Sequence, residues 1–164
     1  MSEITLRAIT KKDLEKIMHW RMDPDITRYM NTDPKLTLEG QKKWFSSIEK
    51  NPDVRYFMIM VDGEDAGVIN LTGLTDPSGS VGWAYYVGEK HLRSMKTALA
   101  LEMNLYDYVF EVLHKKRLVG DIFTLNKGVI QLHLLCGSQI LEEKKNHVTK
   151  NGISYDVTFM VMTA

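Results

Sequence analysis

Between Val87 and Ala98 the chain reads Val87-Gly88-Glu89-Lys90-His91-Leu92-Arg93-Ser94-Met95-Lys96-Thr97-Ala98, a strand-like run giving way to a helix-like one. Such a junction suits an anion. The first amides of a helix lack partners within it, and the helix dipole favours negative charge at that end. Lys90, Arg93 and Lys96 add three cations beside those amides. A pyrophosphate would match this set. A solvated loop with lysines near a helix start has the same spacing, and spacing alone leaves both readings open. Other reactive types carry less. Cys136 is the one cysteine and has no histidine–carboxylate pair nearby in sequence, so it reads as a small helix-end residue rather than a nucleophile. His19, His91, His114, His133 and His147 share no ligand spacing, and no metal site is expected.

The elements that must position this junction can be read from periodicity. Ile4 and Leu6 alternate with polar neighbours as a short strand. Thr10 and Asp13 form a capping box ahead of a helix carrying Leu14, Ile17, Met18 and Arg21, which Asp23-Pro24 stops. Thr37 caps a second helix with Trp44, Phe45 and Ile48 on one side. Val54–Val61, Ala66–Leu74 and Val81–Val87 read as three strands of an antiparallel meander, with turns at Asp62-Gly63 and Asp76-Pro77-Ser78-Gly79. Met95–Leu113 is the longest helical pattern, with Leu99, Met103, Tyr106 and Phe110 along one stripe. Arg117–Phe123 is a strand, and strand–helix–strand order implies a parallel pair with a right-handed crossover. A short helix over Lys127–Cys136 ends at Gly137. Gln139–Lys145 and Ser154–Met162 close the chain as two strands around Asn151-Gly152. The expected order is β-α-α-β-β-β-α-β-α-β-β.

Composition narrows the classes. A chain of 164 residues favours one domain over 1–164. Its 21 basic and 21 acidic residues leave no net charge, so no global field favours nucleic acid or an anionic membrane. No apolar run approaches the roughly 20 residues of a membrane helix, and the opening MSEITLRAIT has no apolar signal-peptide core. One cysteine permits no internal disulfide. The expectation is a cytoplasmic protein with neither nucleic-acid nor membrane partners. A homodimer is compatible with the sequence, which fixes no oligomeric state.

Around the junction, and in element order over essentially the whole chain, the sequence resembles the GCN5-related N-acetyltransferase (GNAT) superfamily. That family's acyl-coenzyme A loop is Arg or Gln, two residues, Gly, one residue, then Gly or Ala. Arg93-Ser94-Met95-Lys96-Thr97-Ala98 matches at Arg93 and Ala98 and departs at Lys96. Glycine there lets backbone approach phosphate closely; Lys96 either substitutes a charge contact or weakens coenzyme binding. Asn126-Lys127-Gly128-Val129-Ile130-Gln131-Leu132-His133 is similar to the family's Asn-x-x-Ala-Ile-x-x-Tyr segment. The resemblance implies a mixed, mostly antiparallel seven-stranded α/β (α+β) sheet with helices on both faces and a splayed central parallel pair. It implies acetyl-CoA as cosubstrate, held by Tyr85, Tyr86 and Val87 of the splayed strand, by Arg93 to Ala98, and by Asn126. It implies that His133 stands where the family's Tyr protonates the leaving thiolate, which an imidazolium can also do near neutrality. Under this reading Lys115-Lys116-Arg117 is a solvated helix end, or else touches the coenzyme's 3′-phosphate.

A finer resemblance lies in Trp20-Arg21-Met22-Asp23-Pro24-Asp25-Ile26-Thr27-Arg28-Tyr29-Met30, in Asn51-Pro52-Asp53-Val54-Arg55-Tyr56-Phe57 and in Asn151-Gly152-Ile153-Ser154-Tyr155-Asp156-Val157. These are similar to the branch holding ribosomal-protein N-terminal acetyltransferases and aminosugar N-acetyltransferases. The pattern that fits best is the sugar-nucleotide N-acetyltransferase of pseudaminic acid biosynthesis. It implies a small-molecule acceptor, the 4-amino group of a UDP-linked aminosugar, with Trp20, Arg21, Tyr29, Met30 and Asn70 shaping its site. Asp121 falls where that branch carries a carboxylate, able to take the ammonium proton directly or through water. Alternatives are a protein N-terminus, a polyamine, or a binding module that keeps the coenzyme site without catalysis.

Overall fold

The computed structural model describes residues 3–164. Strand β1, Ile4–Ala8, leads to a 3-10 turn in which Asp13 accepts the Thr10 amide at 2.8 Å and pairs with Arg7 at 2.8 Å. Helix α1, Leu14–Arg21, buries Leu14, Ile17 and Trp20. It stops before Asp23-Pro24, yet that pair also starts something. Asp23 accepts the Asp25 amide and Pro24 opens a single further turn, α2, Pro24–Thr27, because the fixed φ of proline suits a first helical position. Helix α3, Leu38–Glu49, is capped by Thr37, whose Oγ1 accepts from Gly40 at 3.1 Å.

The expected meander follows as β2 (Val54–Val61), β3 (Glu64–Thr72) and β4 (Ser80–Val87), paired antiparallel. Helix α4 covers Met95–Asp107, then widens into a π-helical segment over Tyr108–Val112. The single helix expected to Leu113 is thus two geometries. The wider turn lets the closely spaced Tyr106, Tyr108, Val109 and Phe110 all reach apolar neighbours. The buried line also differs from the expected stripe. Met103 is 52 % exposed; Tyr106 of that stripe is buried, but beside it the helix buries Leu101, Glu102 and Leu105. Apolar residues surround most of this helix, so spacing did not select a face, and a buried glutamate reads in sequence as a polar one.

Strand β5 (Arg117–Phe123), helix α5 (Lys127–Leu135) and strands β6 (Gln139–Lys150) and β7 (Ile153–Thr163) complete the chain. Strand β6 runs five residues past the expected end at Lys145. It is a sheet-edge strand, exposed along nearly its whole length, so its polar run carries no apolar alternation. Asn146 sits at φ 50° in the register shift that bends it.

All seven strands form one sheet in the order β1-β2-β3-β4-β5-β7-β6, antiparallel except for β4 and β5. Alternation sorts the side chains. Phe57, Ile59, Ile69, Leu71, Val81 and Trp83 face α4, whereas Met58, Val68 and Tyr86 face α1 and α3. Ile122 and Met160 pack on Ile130 of α5.

Candidate active site

Strands β4 and β5 run parallel for only three residue pairs, ending at Gly82 and Val119. From Trp83 to Val87, β4 pairs with β3 alone. The sheet is therefore open along one side of Trp83, Ala84, Tyr85, Tyr86 and Val87. Backbone amides and carbonyls beside such an opening need partners, since a buried unmet group costs about 1–3 kcal/mol. Gly120 contributes to the opening: a Cβ there would come 3.1 Å from Trp83 Nε1. The splay is the feature expected for the central pair.

At the C-terminal end of the opening the chain turns into α4. Arg93 does not project outward. Its Nε donates to Val87 O at 2.7 Å and its guanidinium to Gly88 O at 3.2 Å, tying the loop to the end of β4. Ser94 caps α4, accepting the Thr97 amide at 3.0 Å, and its hydroxyl meets that of the buried Thr97 at 3.0 Å. Ala98 N returns to Ser94 O. The first-turn amides that remain are those of Met95 and Lys96, both residues being exposed. Of the expected coenzyme set, Arg93, Ser94 and Thr97 thus build the loop internally, while Met95 and Lys96 face outward. Asn126 precedes α5 without capping it by its side chain. Lys115 donates to Leu74 O and Arg117 pairs with Ser80, so that basic run lies at the far end of β4 and away from the α4 start. Its reading as a phosphate contact fails on this placement.

Behind the opening, on the α4–α5 side, lies a polar cluster that periodicity did not reveal. His133 is 4 % exposed and Glu102 is fully buried. His133 Nδ1 lies 2.5 Å from Glu102 Oε1. The Tyr106 hydroxyl donates to Glu102 Oε2 at 2.8 Å and is 3.4 Å from Ser138 Oγ. The His133 ring rests on Trp83, with centroids 5.1 Å apart. Cys136 thus lies beside a histidine–carboxylate pair, contrary to expectation, yet burial, with the charge and hydrogen bond of Glu102 adding to it, pushes its thiol up to about 12.

On the opposite face of the sheet, α1, α3 and the meander enclose a cavity of about 470 Å³, within the usual range for small-molecule sites. Arg21, Met30 and Asn70 line it, as expected from sequence, together with Lys35, Gln41, Trp44, Tyr56 and Ala84 to Tyr86. Its floor therefore includes the open stretch of β4. Two lining residues hold buried polar atoms with no partner, Arg21 Nε and the Tyr86 hydroxyl. Burial raises the Tyr86 hydroxyl well above its ordinary range, so it remains a donor. Among the described residues no carboxylate lines the cavity, and Arg21 and Lys35 are its charged groups. Trp20 and Tyr29 do not line it. Trp20 stacks edge-on to Tyr86 and supports the wall. Tyr29 is 41 % exposed, with Arg28 over its ring. Lys150 closes one side indirectly. Its buried Nζ donates to Thr27 O at 2.6 Å and Met30 O at 3.0 Å and pairs with Asp33 at 3.1 Å, pinning the segment that carries Met30 and Lys35.

Asp121 is exposed on β5, paired with Phe159. Extending the β4–β5 register by two residues sets it level with Ala84, which pairs with Asn70 on β3. Asn70, Ala84 and Asp121 thus form a row across the opening, although Asp121 is not part of the cavity wall.

A family model described as "Acetyltransferase (GNAT) domain" matches residues 3–139. The chain belongs to the GNAT acetyltransferases. Acetyltransferase PseH of Campylobacter jejuni is 24% identical to it over 138 residues, 84% of each chain. An uncharacterized N-acetyltransferase, p20, of Bacillus licheniformis is 26% identical over 144 residues, covering 79% of this chain and 75% of that one. Among solved structures, the spermidine N-acetyltransferase of Vibrio cholerae, crystallised with CoA and spermine, superposes with a TM-score of 0.91 over 98% of this chain and 95% of that one, at 19% identity. That agreement concerns the fold.

As a GNAT acetyltransferase the chain takes its acetyl group from acetyl-CoA, which supplies an activated thioester. The residues present suit it. The open side of β4 presents backbone groups without a strand partner, and the α4 start presents two amides with Lys96 beside them. Among the described residues no three His, Cys, Asp or Glu side chains gather to hold a metal ion, and no helix is long and apolar enough to cross a membrane.

Proposed function

We infer that this acetyltransferase acetylates a primary amine on a phosphate-bearing acceptor, the 4-amino group of a UDP-linked aminosugar. The observation that carries the reading is the charge of the acceptor cavity. Arg21 and Lys35 line it, no carboxylate does, and Arg21 Nε lacks a partner. A polyamine, with several ammonium groups, would meet repulsion there. A nucleotide diphosphate would meet a guanidinium suited to bidentate phosphate contact, and Trp44 and Tyr56 offer aromatic faces for a base or sugar. The resemblance of Trp20 to Met30 and of Asn151 to Val157 to the aminosugar branch supports the same acceptor class, and the V. cholerae spermidine N-acetyltransferase marks the rival one.

In this reading donor and acceptor approach the β4–β5 opening from opposite faces of the sheet. His133 stands on the α4–α5 side as the acid for the departing sulfur. Asn70 holds a sugar hydroxyl or a water. Asp121, level with Ala84, receives the ammonium proton through water, since its carboxylate lies outside the cavity wall. Transfer is direct. The test is a panel of acceptors scored by thiol release: a UDP-4-amino-4,6-dideoxy sugar, spermidine, and a ribosomal-protein N-terminal peptide. The sugar nucleotide is expected to have the highest kcat/KM by far. A win by spermidine or by the peptide would overturn the reading.

A further inference from the structure

We propose that Glu102 is a positioning residue for the transfer, holding the His133 imidazole by Nδ1 so that Nε2 carries the proton given to the sulfur. This rests on the reading of His133 as the acid. Glu102 sits in the middle of α4 with no exposed surface, where an unpaired carboxylate would be very costly. Tyr106 satisfies one oxygen at 2.8 Å and His133 Nδ1 the other at 2.5 Å. The remaining titratable groups facing the cluster cannot neutralise it. Burial and the glutamate's charge raise the hydroxyls of Tyr85 and Tyr106 and the thiol of Cys136, so all three stay protonated and neutral. Imidazole is the only group of the cluster able to carry positive charge.

Geometry then settles which nitrogen does chemistry. The two ring nitrogens diverge, so committing Nδ1 to Glu102 turns Nε2 away from it. The ring lies on Trp83, the first residue of β4 beyond its pairing with β5. As the amine–acetyl bond forms and the acetyl–sulfur bond breaks, the electron pair of the latter goes to sulfur. His133 gives its Nε2 proton to that sulfur and becomes neutral imidazole, still donating Nδ1–H to Glu102. The ammonium proton of the acceptor leaves to water, and a proton from water restores the imidazolium. A tyrosine acid needs no such partner, because its hydroxyl carries its own proton. The glutamate and the histidine are therefore one device.

The experiment compares Glu102→Gln with His133→Ala, His133→Tyr and the double variant Glu102→Gln/His133→Tyr, with 15N NMR of the His133 ring in the unaltered protein. Glutamine keeps the shape and removes the charge. Expected for Glu102→Gln are a kcat lower by roughly 10-fold and an unchanged KM for acetyl-CoA. In the His133→Tyr background the glutamine should cost kcat far less than it does beside His133. The NMR titration should show Nδ1 protonated on both sides of the transition, and it needs no variant to fold. Nδ1 unprotonated in the neutral ring would overturn the proposal. So would a normal Glu102→Gln enzyme beside an impaired His133→Ala enzyme, an outcome that leaves His133 as the acid. Full activity in both variants would sink the acid and its positioner together.

Discussion

The indole of Trp20 lies over Gly88 so closely that a methyl group added there would come within 2.3 Å of the ring. Trp20 immediately precedes Arg21 of the cavity proposed for the acceptor, and Gly88 begins the loop to the start of α4. Trp20 Nε1 donates to Glu89 at 3.2 Å, and the amides of Gly88 and Glu89 both return to Ala66 O. One contact thus joins the wall of the proposed acceptor cavity to the loop proposed to hold the coenzyme. Gly88→Ala must move one of them. We expect a loss of about 1–3 kcal/mol in stability, read from denaturant midpoints, and a rise in KM for both substrates. A change in the acceptor KM alone would show that the two halves are not joined here.

Arg21→Gln should raise the acceptor KM for a sugar nucleotide by roughly 10-fold or more, because a charge-assisted phosphate contact contributes about 1.5–3 kcal/mol. The KM for acetyl-CoA should hold. Steady-state kinetics with each substrate varied in turn decides it, and equal effects on both constants would place Arg21 outside the acceptor site.

Acetyl-CoA at 100 times its dissociation constant should stabilise the fold by about 2.7 kcal/mol, visible as a melting shift. The shift in Lys96→Gly separates two roles for that residue. With backbone amides dominating, the glycine binds as well or better. With the ammonium as a true phosphate contact, the shift shrinks and becomes less sensitive to salt.

The thiol of Cys136, pushed up to about 12, is protonated near neutrality and is a poor nucleophile. Cys136→Ser should therefore keep most of the activity. Mass spectrometry during turnover should find no acetyl group on Cys136; finding one would replace direct transfer with an acyl-enzyme.

The sheet, its parallel pair and the coenzyme loop were legible because apolar alternation and helix caps act locally. Arg21, Met30 and Asn70 were named by resemblance as acceptor residues, and all three line the cavity. Lys35, Gln41 and Trp44 were not, since a loop lysine and polar helix positions look solvated until a cavity forms beneath them. Glu102 was hidden for a sharper reason. A charged residue in mid-helix signals an exposed face, and only the approach of His133, 31 residues later, turns that position inward. The added length of β6 was unreadable because an edge strand with both faces in water has no pattern to display.

Lys150 also bears on the order in which the molecule assembles. Its ammonium bridges to the carbonyl of Thr27, 123 residues earlier in the chain. Closing so long a loop costs more entropy than closing a short one, and contacts at such separation slow folding. The coenzyme loop needs only β3, β4 and the start of α4, all neighbours in sequence. The acceptor cavity keeps Met30 and Lys35 in place only once the final hairpin has docked. Transient undocking of that hairpin would loosen the cavity side of the sheet and leave the start of α4 in place, so hydrogen exchange should run faster in residues 27–36 than in residues 94–107.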